Sequence, residues 1–414
     1  MISFHGDEEF LCNGLIILNI RVETASYFFV RSSFFCIFIK KLMNKIILIG
    51  NGFDLAHGMK TSYNDFINDF EKQVKDEYFN RTINYSGDVI INTDYIYSSN
   101  YNPSNYNFKD HLGAFSFNNI FFEYVINRFK AVNYYDLEGF FYEILKQTDV
   151  NNIVKLNKDF SSFTNHLEKY LTKIENEFRQ NDDNPISEIL SYINSPILFN
   201  ELSQDARNSM SKKHEVWYNN DIGKRRSMER FYEEFKQSNQ KFESKSTLIL
   251  NFNYTETANL YHTDKSQTIN IHGKLNDTEN PIIFGYGDEL DSQYSVIEDM
   301  KDNRFLEHFK SINYAKTDNY KKVLEYIDSD LFQICVMGHS CGNTDRTLLN
   351  TMFEHNNCAS VKIYYHQKSF TENNFLEIYK NISRNFNNKA KLRDRVVNQS
   401  FCKPLITLKN DDMY

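Results

Sequence analysis

Four short segments of this 414-residue chain carry residues of the kinds that bind and transform small molecules: Gly50-Asn51-Gly52-Phe53-Asp54, Asn251-Phe252-Asn253-Tyr254-Thr255, Ile271-His272-Gly273 and Gly338-His339-Ser340-Cys341-Gly342-Asn343-Thr344-Asp345. Each ends or follows an apolar run. A glycine turn lets backbone N–H groups approach a phosphate, and a following helix end adds partial positive charge. Asn253 offers donors and an acceptor where a strand stops, and its rival role is a helix cap near Thr255. His272, beside a glycine, is of the kind that acts as general base or holds a ribose. Ser340 and its neighbouring N–H groups suit phosphate or ribose, and Asp345 doubles as an ordinary first-turn helix acid. Asp54 beside a pyrophosphate would be repulsive, so a ribose hydroxyl, a loop N–H or a helix cap suits it better. The spacing G-x-G-x-x-G of dinucleotide sites is absent, because the third glycine is Gly58. Gly338-His-Ser-Cys-Gly342 does fit the nucleophile elbow G-x-S-x-G, so a serine hydrolase using Ser340 is a rival reading. It would need His355 or His366, and it leaves the other segments without a role.

The elements needed to position these residues follow from periodicity. Ile46–Ile49 is an unbroken apolar run, as in a strand buried on both faces. After the turn and a short loop, Tyr63, Phe66, Ile67, Phe70 and Val74 recur at helical spacing. Strand patterns resume at Thr247–Phe252, Thr268–Ile271, Pro281–Phe284, Phe332–Met337 and Val361–Tyr365. Helices are expected at Tyr320–Ile327, Asp345–His355 and Asn374–Phe386. This alternation predicts an α/β fold, Rossmann-like, with a largely parallel sheet. In such a sheet ligands bind outside the carboxyl ends of the strands, so the four segments are expected to converge.

Between first strand and remaining sheet lie residues 78–246. The part over 78–110 reads as a polar loop. Helical periods follow at Ile120–Phe129, Leu137–Leu145, Phe160–Ile174, Ile186–Ile193 and Met228–Phe235, a large helical insertion that Trp217 and Tyr218 are expected to pack. The nucleotide-binding core is thus 43–77 plus 247–390, with 391–414 a C-terminal tail. Residues 1–42 are apolar but interrupted by charges, with no 18-residue apolar span and a poor signal peptide. We expect Met43 to be the true start and 1–42 a non-native extension. The rival is an interfacial anchor over Tyr27–Ile39.

Composition bounds the partners. The chain is 41% hydrophobic and 25% charged with a net charge of −8, so no nucleic-acid partner is expected, and Lys224-Arg225-Arg226 is the only short basic run. Six cysteines without a C-x-x-C pair argue for a reduced, cytoplasmic protein and no metal. Eight of the fourteen glycines (Gly50, Gly52, Gly58, Gly273, Gly285, Gly287, Gly338 and Gly342) fall in three short segments, which points to special backbone geometry there.

The strings IILIGNGFDLAHGMKTSYNDF, LNFNYTETANLY, INIHGKL, IIFGYGD, CVMGHSCGNTD and VKIYY, in this order, closely resemble the AbiH family of bacterial phage abortive-infection proteins. The resemblance runs from Met43 to about residue 390, specific at the motifs and weak across the insertion. AbiH proteins in turn look like distant relatives of the sirtuin-type NAD-binding fold. That implies glycines of a cofactor loop at Gly50, Gly52 and Gly58, with Asp54 and Lys60 replacing the family's serine and proline. It also implies an asparagine role at Asn253, a histidine role at His272 and a phosphate loop at Gly338–Ser340. Thr255 stands where an aspartate is usual, and the deacetylase zinc ribbon has no counterpart, which disfavours deacetylation. The resemblance therefore implies phage defence, with NAD as substrate or ligand, Asn253 and His272 catalytic, and Gly50, Asn51, Gly52, Phe53, Asp54, Gly338, His339, Ser340 and Asp345 binding it. The expected activity is hydrolysis of the nicotinamide–ribose bond. A nucleotide-sensing module is the alternative. A phage or host trigger protein is the expected partner, with oligomerisation open and no membrane association.

Overall fold

The computed structural model describes residues 11–12, 15–16, 42–79, 87–91, 115–128, 137–181, 184–210 and 241–408. Trp217, Tyr218, Lys224–Arg226, Met228–Phe235, Tyr27–Ile39 and most of 78–110 lie outside them.

The sheet is built on β1 (Leu42–Ile49), whose run from Met43 onward is fully buried. With β2 (Ile197–Leu198), β3 (Lys241–Asn251), β4 (Ser266–Asn270), β5 (Phe332–Met337), β6 (Cys358–Tyr365) and β7 (Lys403–Pro404) it forms one sheet in the order β7-β6-β5-β1-β3-β2, with β4 also beside β3. The β1–β3, β1–β5, β5–β6, β6–β7 and β3–β4 pairings are parallel and β2–β3 is antiparallel. The fold is therefore α/β with a mixed sheet, five of these six pairings being parallel and the β2–β3 edge antiparallel. That edge exists because β3 starts at Lys241, six residues before the expected Thr247. Its first residues pair with Ile197–Leu198, inside the segment read as a polar loop and helical insertion.

Alternation along each strand divides the apolar residues between two faces. Ile46, Leu48, Leu248, Leu250, Ile334, Val336, Val361 and Ile363 share one core. It is covered by helices Asn319–Ser329, Arg346–Phe353 and Phe375–Asn385. Ile47, Ile49, Ile249, Cys335 and Met337 pack on the other face with Phe53, Ile189 and Ile193.

Pro281–Phe284 does not form the expected strand. Gly273 turns the chain at φ +82, and the segment keeps a single backbone bond to the β4 end, Ile283 N–H to His272 O at 2.8 Å. The imino group of Pro281 has no proton for a ladder. The insertion is mostly helical where described: α1 (Asn51–Ala56) and α2 (Tyr63–Phe79) precede it, then α3 (Ile120–Arg128), α4 (Leu137–Leu145), α5 (Ile153–Asn181) and α6 (Ser187–Asn194). It also holds the antiparallel pair Val89–Ile91 and Phe115–Phe117, the first of which breaks the expected polar loop over 78–110. Phe66, Phe70, Phe121, Phe122, Phe141, Phe160 and Phe163 fill its core, with Phe70 stacked on Phe122 at 4.2 Å. This is where much of the 15% aromatic content goes. Among the described residues no helix is long and apolar enough to cross a membrane.

Candidate functional site

β1 lies between β3 and β5. After β1 the sheet grows through β3 and β4 on one side, then through β5, β6 and β7 on the other. Such a switch in direction opens a crevice at the carboxyl end of the first strand. The registers Ile49↔Asn251, Leu48↔Val336 and Asn251↔Asn270 align the strand ends, so residues 50, 253, 272 and 338 follow at one rim.

The glycine turn sits at that point and is closed against the β5 end. Gly52 N–H donates to Gly338 O at 2.9 Å and Phe53 N–H to Gly50 O at 2.8 Å. A Cβ on Gly50 would lie 2.7 Å from His339 Cα, and one on Gly338, at φ +77, 2.1 Å from Phe53 N. These glycines are thus required for two backbones to touch. The expected loop after the turn is instead α1, which begins at Asn51. The contact engages the N–H groups of Gly52 and Phe53 and leaves Asn51 exposed.

Asn253 Nδ2 donates to Gly50 O at 3.0 Å, joining the third strand end to the turn. It does not cap a helix: the 3-10 turn Thr257–Tyr261 starts after Glu256 with no side-chain cap. Asn251 is a latch, its Nδ2 donating to Thr255 O and to Asn270 Oδ1, both at 2.8 Å. Asp54 is buried inside α1, neither cap nor exposed ligand. Thr255 Oγ1 donates to its Oδ2 at 2.6 Å, while Oδ1 has no hydrogen-bond partner. Burial pushes its carboxyl up to about 6, against the hydrogen bond from Thr255.

His272 and His339 meet on Asp345. His272 Nε2 lies 3.1 Å from Asp345 Oδ1, and His339 Nε2 lies 3.5 Å from Oδ2. Two strands, β1 and β3, lie between β4 and β5, so loops bring together what the sheet separates. Cys341 N–H donates to His339 Nδ1 at 2.9 Å, which places that ring's proton on Nε2, toward Asp345. His272 has acceptors at both nitrogens: Phe252 O is 3.2 Å from Nδ1, while Asp345 and the Tyr314 hydroxyl (3.2 Å) face Nε2. Its pKa is nonetheless lowered, by burial first and then by Lys310.

Two members of this cluster escape sequence reading. Lys310 is buried and donates to Asp345 Oδ1 at 2.8 Å and to Glu138 Oε2 at 2.9 Å; Glu138 comes from α4 of the insertion. Burial disfavours a charged Asp345, but Lys310 and His272 outweigh it and hold the carboxyl well below the usual range. Glu138, losing the competition for one ammonium, is pushed up to about 7 by burial. Burial lowers the pKa of Lys310, the two carboxylates raise it, and the net shift is upward. Neither residue lies in a motif or follows a strand, so the sequence carried no signal for them.

Thr344 does not cap the helix Arg346–Phe353 either; Asp345 is its N-cap without a side-chain cap bond, its carboxylate spent on the cluster. Ser340 is exposed, and His339, its neighbour, directs both nitrogens elsewhere. His355 pairs with Asp328 at 3.1 Å at the opposite end of the strands, just before β6. His366 follows β6 on an exposed loop, its N–H bonded to Asn374. The geometry therefore forms no serine triad at Ser340 among the described residues. Cys335, Cys341, Cys358 and Cys402 are free and buried.

Residues 46–367 match the family model "Bacteriophage abortive infection AbiH". No curated protein and no solved structure matches the chain. The matched span is well over half of the 414 residues and takes in every strand-end segment described above, so the chain belongs to the AbiH family of bacteriophage abortive infection.

Proposed function

We propose that this AbiH protein acts in phage defence by binding NAD or a related nucleotide at the strand rim and hydrolysing its nicotinamide–ribose bond, on a Rossmann-like core of sirtuin type. The observation that carries the reading is the convergence of His272, His339 and Lys310 on one ionised carboxylate, Asp345, beside a glycine turn at the switch point of the sheet. In such a cleavage the C–N bond breaks with its electron pair leaving on nicotinamide. Water adds to the ribose carbon and gives up a proton. Asp345 supplies negative charge toward the developing oxocarbenium, and a protonated His272 would find Phe252 O and Asp345 waiting at its two nitrogens. The proton reaches it through Tyr314, whose hydroxyl touches Nε2. Asn253 orders the turn that faces the ligand.

The test is purified protein incubated with NAD and assayed for free nicotinamide. Release that disappears in His272→Ala, with NAD falling in infected cells, supports the reading. A protein that protects cells while NAD stays intact overturns it.

One observation favours a second reading, nucleotide sensing without turnover. His272 is only 4% exposed, with both nitrogens engaged, and Asn253 is already bonded to the turn. In that case the ligand stabilises a closed rim and the insertion contacts a phage or host component. Binding by calorimetry with no product separates the two.

A further inference from the structure

The strand rim as described is short of a cation for a phosphate. Lys310 is neutralised by two carboxylates, and the N–H groups of Gly52 and Phe53 are spent within the chain. Asp345 is ionised nearby, and the chain as a whole is acidic at −8. A pyrophosphate entering such a rim needs a positive partner that is not already paired.

One stands at the outer side of the Gly338–Gly342 loop. The helix Phe375–Asn385 is stitched to that loop by two amides: Asn381 Nδ2 donates to Ser340 O at 2.9 Å and Asn385 Nδ2 to Cys341 O at 2.8 Å. Asn381 also accepts, through Oδ1, from Arg384 Nη1 at 2.6 Å. A single amide group thus lies between an exposed guanidinium and the main chain of exposed Ser340. Arg384 has no carboxylate partner among the described residues, and Asn381 occupies one nitrogen and leaves the rest of the fork open.

We propose that Arg384 is the phosphate-binding cation of the strand-rim site, its guanidinium taking a phosphoryl group that rests against Ser340. This rests on the nucleotide reading above and adds the residue that would pay the ligand's charge. The competing role is a last-turn cation that complements the helix dipole and binds nothing.

Calorimetry on the full chain tests it, with NAD, ADP, inorganic pyrophosphate and unphosphorylated adenosine as probes. Arg384→Gln is expected to weaken ADP and pyrophosphate about tenfold or more while adenosine is unchanged. Arg384→Lys, which keeps the charge but loses the fork, should fall between. Lys380→Gln, an exposed cation one turn earlier on the same helix, should bind like the parent. If Arg384→Gln binds ADP as the parent does, or Lys380→Gln weakens it equally, the assignment is wrong and the nucleotide reading stands. If the parent binds none of the phosphate-bearing probes, the nucleotide reading fails and takes Arg384 with it. Since Arg384 is exposed, its variants are expected to keep the parent's melting temperature, which is measured alongside.

Discussion

The protein buries charge in two places, and they are built on opposite stoichiometries. On the sheet face opposite Ile46 and Leu48, near the strand starts, two lysines are buried with one acid, which pairs with only one of them. Lys362 pairs with Glu201 at 2.5 Å, Gln333 Nε2 donates to both Glu201 and Ser360 at 3.0 Å, and Lys45 donates to Ile193 O and Ser195 O. The main-chain carbonyls at the end of α6 finish the account, so this network ties α6 to the sheet. Burial still lowers the Lys45 pKa. At the strand rim the excess runs the other way: Glu138 and Asp345 share Lys310, and two imidazoles face Asp345. A cation-rich network closed by carbonyls has one proton count. An acid-rich one with two histidines has several within reach, and that is a condition for acid–base work.

The sharpest way to break this contrast is at His272. His272→Ala is expected to lower NAD cleavage by roughly 10²–10⁴ with the fold kept, read as nicotinamide release against a circular-dichroism control. An unchanged rate would make the rim cluster as structural as the other. Glu201→Ala should do the reverse. Leaving Lys362 buried and unpaired costs about 3–5 kcal/mol in urea unfolding, while ligand binding by the folded fraction is unaltered.

Asp54 sharpens the comparison from a third position. Its folded-state carboxyl lies near 6 against an ordinary 3.8, so the folded chain holds the extra proton between those values. Its contribution is present below 3.8 and is lost as pH rises through about 6. Asp54→Asn should therefore gain up to about 3 kcal/mol at pH 7 and nothing near pH 4, read from unfolding curves at both. His272 has the opposite sign: its pKa is lowered, so its contribution is present above 6.5 and fades as pH falls through the folded value. The melting temperature of His272→Gln should be less sensitive to acidification from pH 7 to 5 than the parent's. The smallest effect is expected at Ser340. Ser340→Ala should change stability by less than about 0.5 kcal/mol, and a fluorophosphonate should leave the parent unlabelled.

Much of the frame was legible locally. An apolar run closed by Gly50 and Gly52 specifies a buried strand and a close backbone approach whatever surrounds it, and Phe332–Met337 and Leu137–Leu145 form over the residues their periods predict. Pro281–Phe284 misled because apolarity alone does not supply a ladder partner. The start of β3 was missed because Lys241–Ser246 is polar and gains its place from pairing with Ile197–Leu198.

What the chain determined by itself was the set of residues standing at strand ends: short-range sterics and hydrophobic period place Gly50, Asn253, His272 and Gly338 there without reference to one another. Which of them touch was a tertiary decision. Asp345 is reached by His272 across two intervening strands and by Lys310 from the short helix Lys310–Asn313, and Lys310 is shared in turn with Glu138 of an inserted helix, neither having a motif of its own. Pairing of buried charge depends on distance in space and on exclusion of water, and neither is written in the spacing of residues along a sequence.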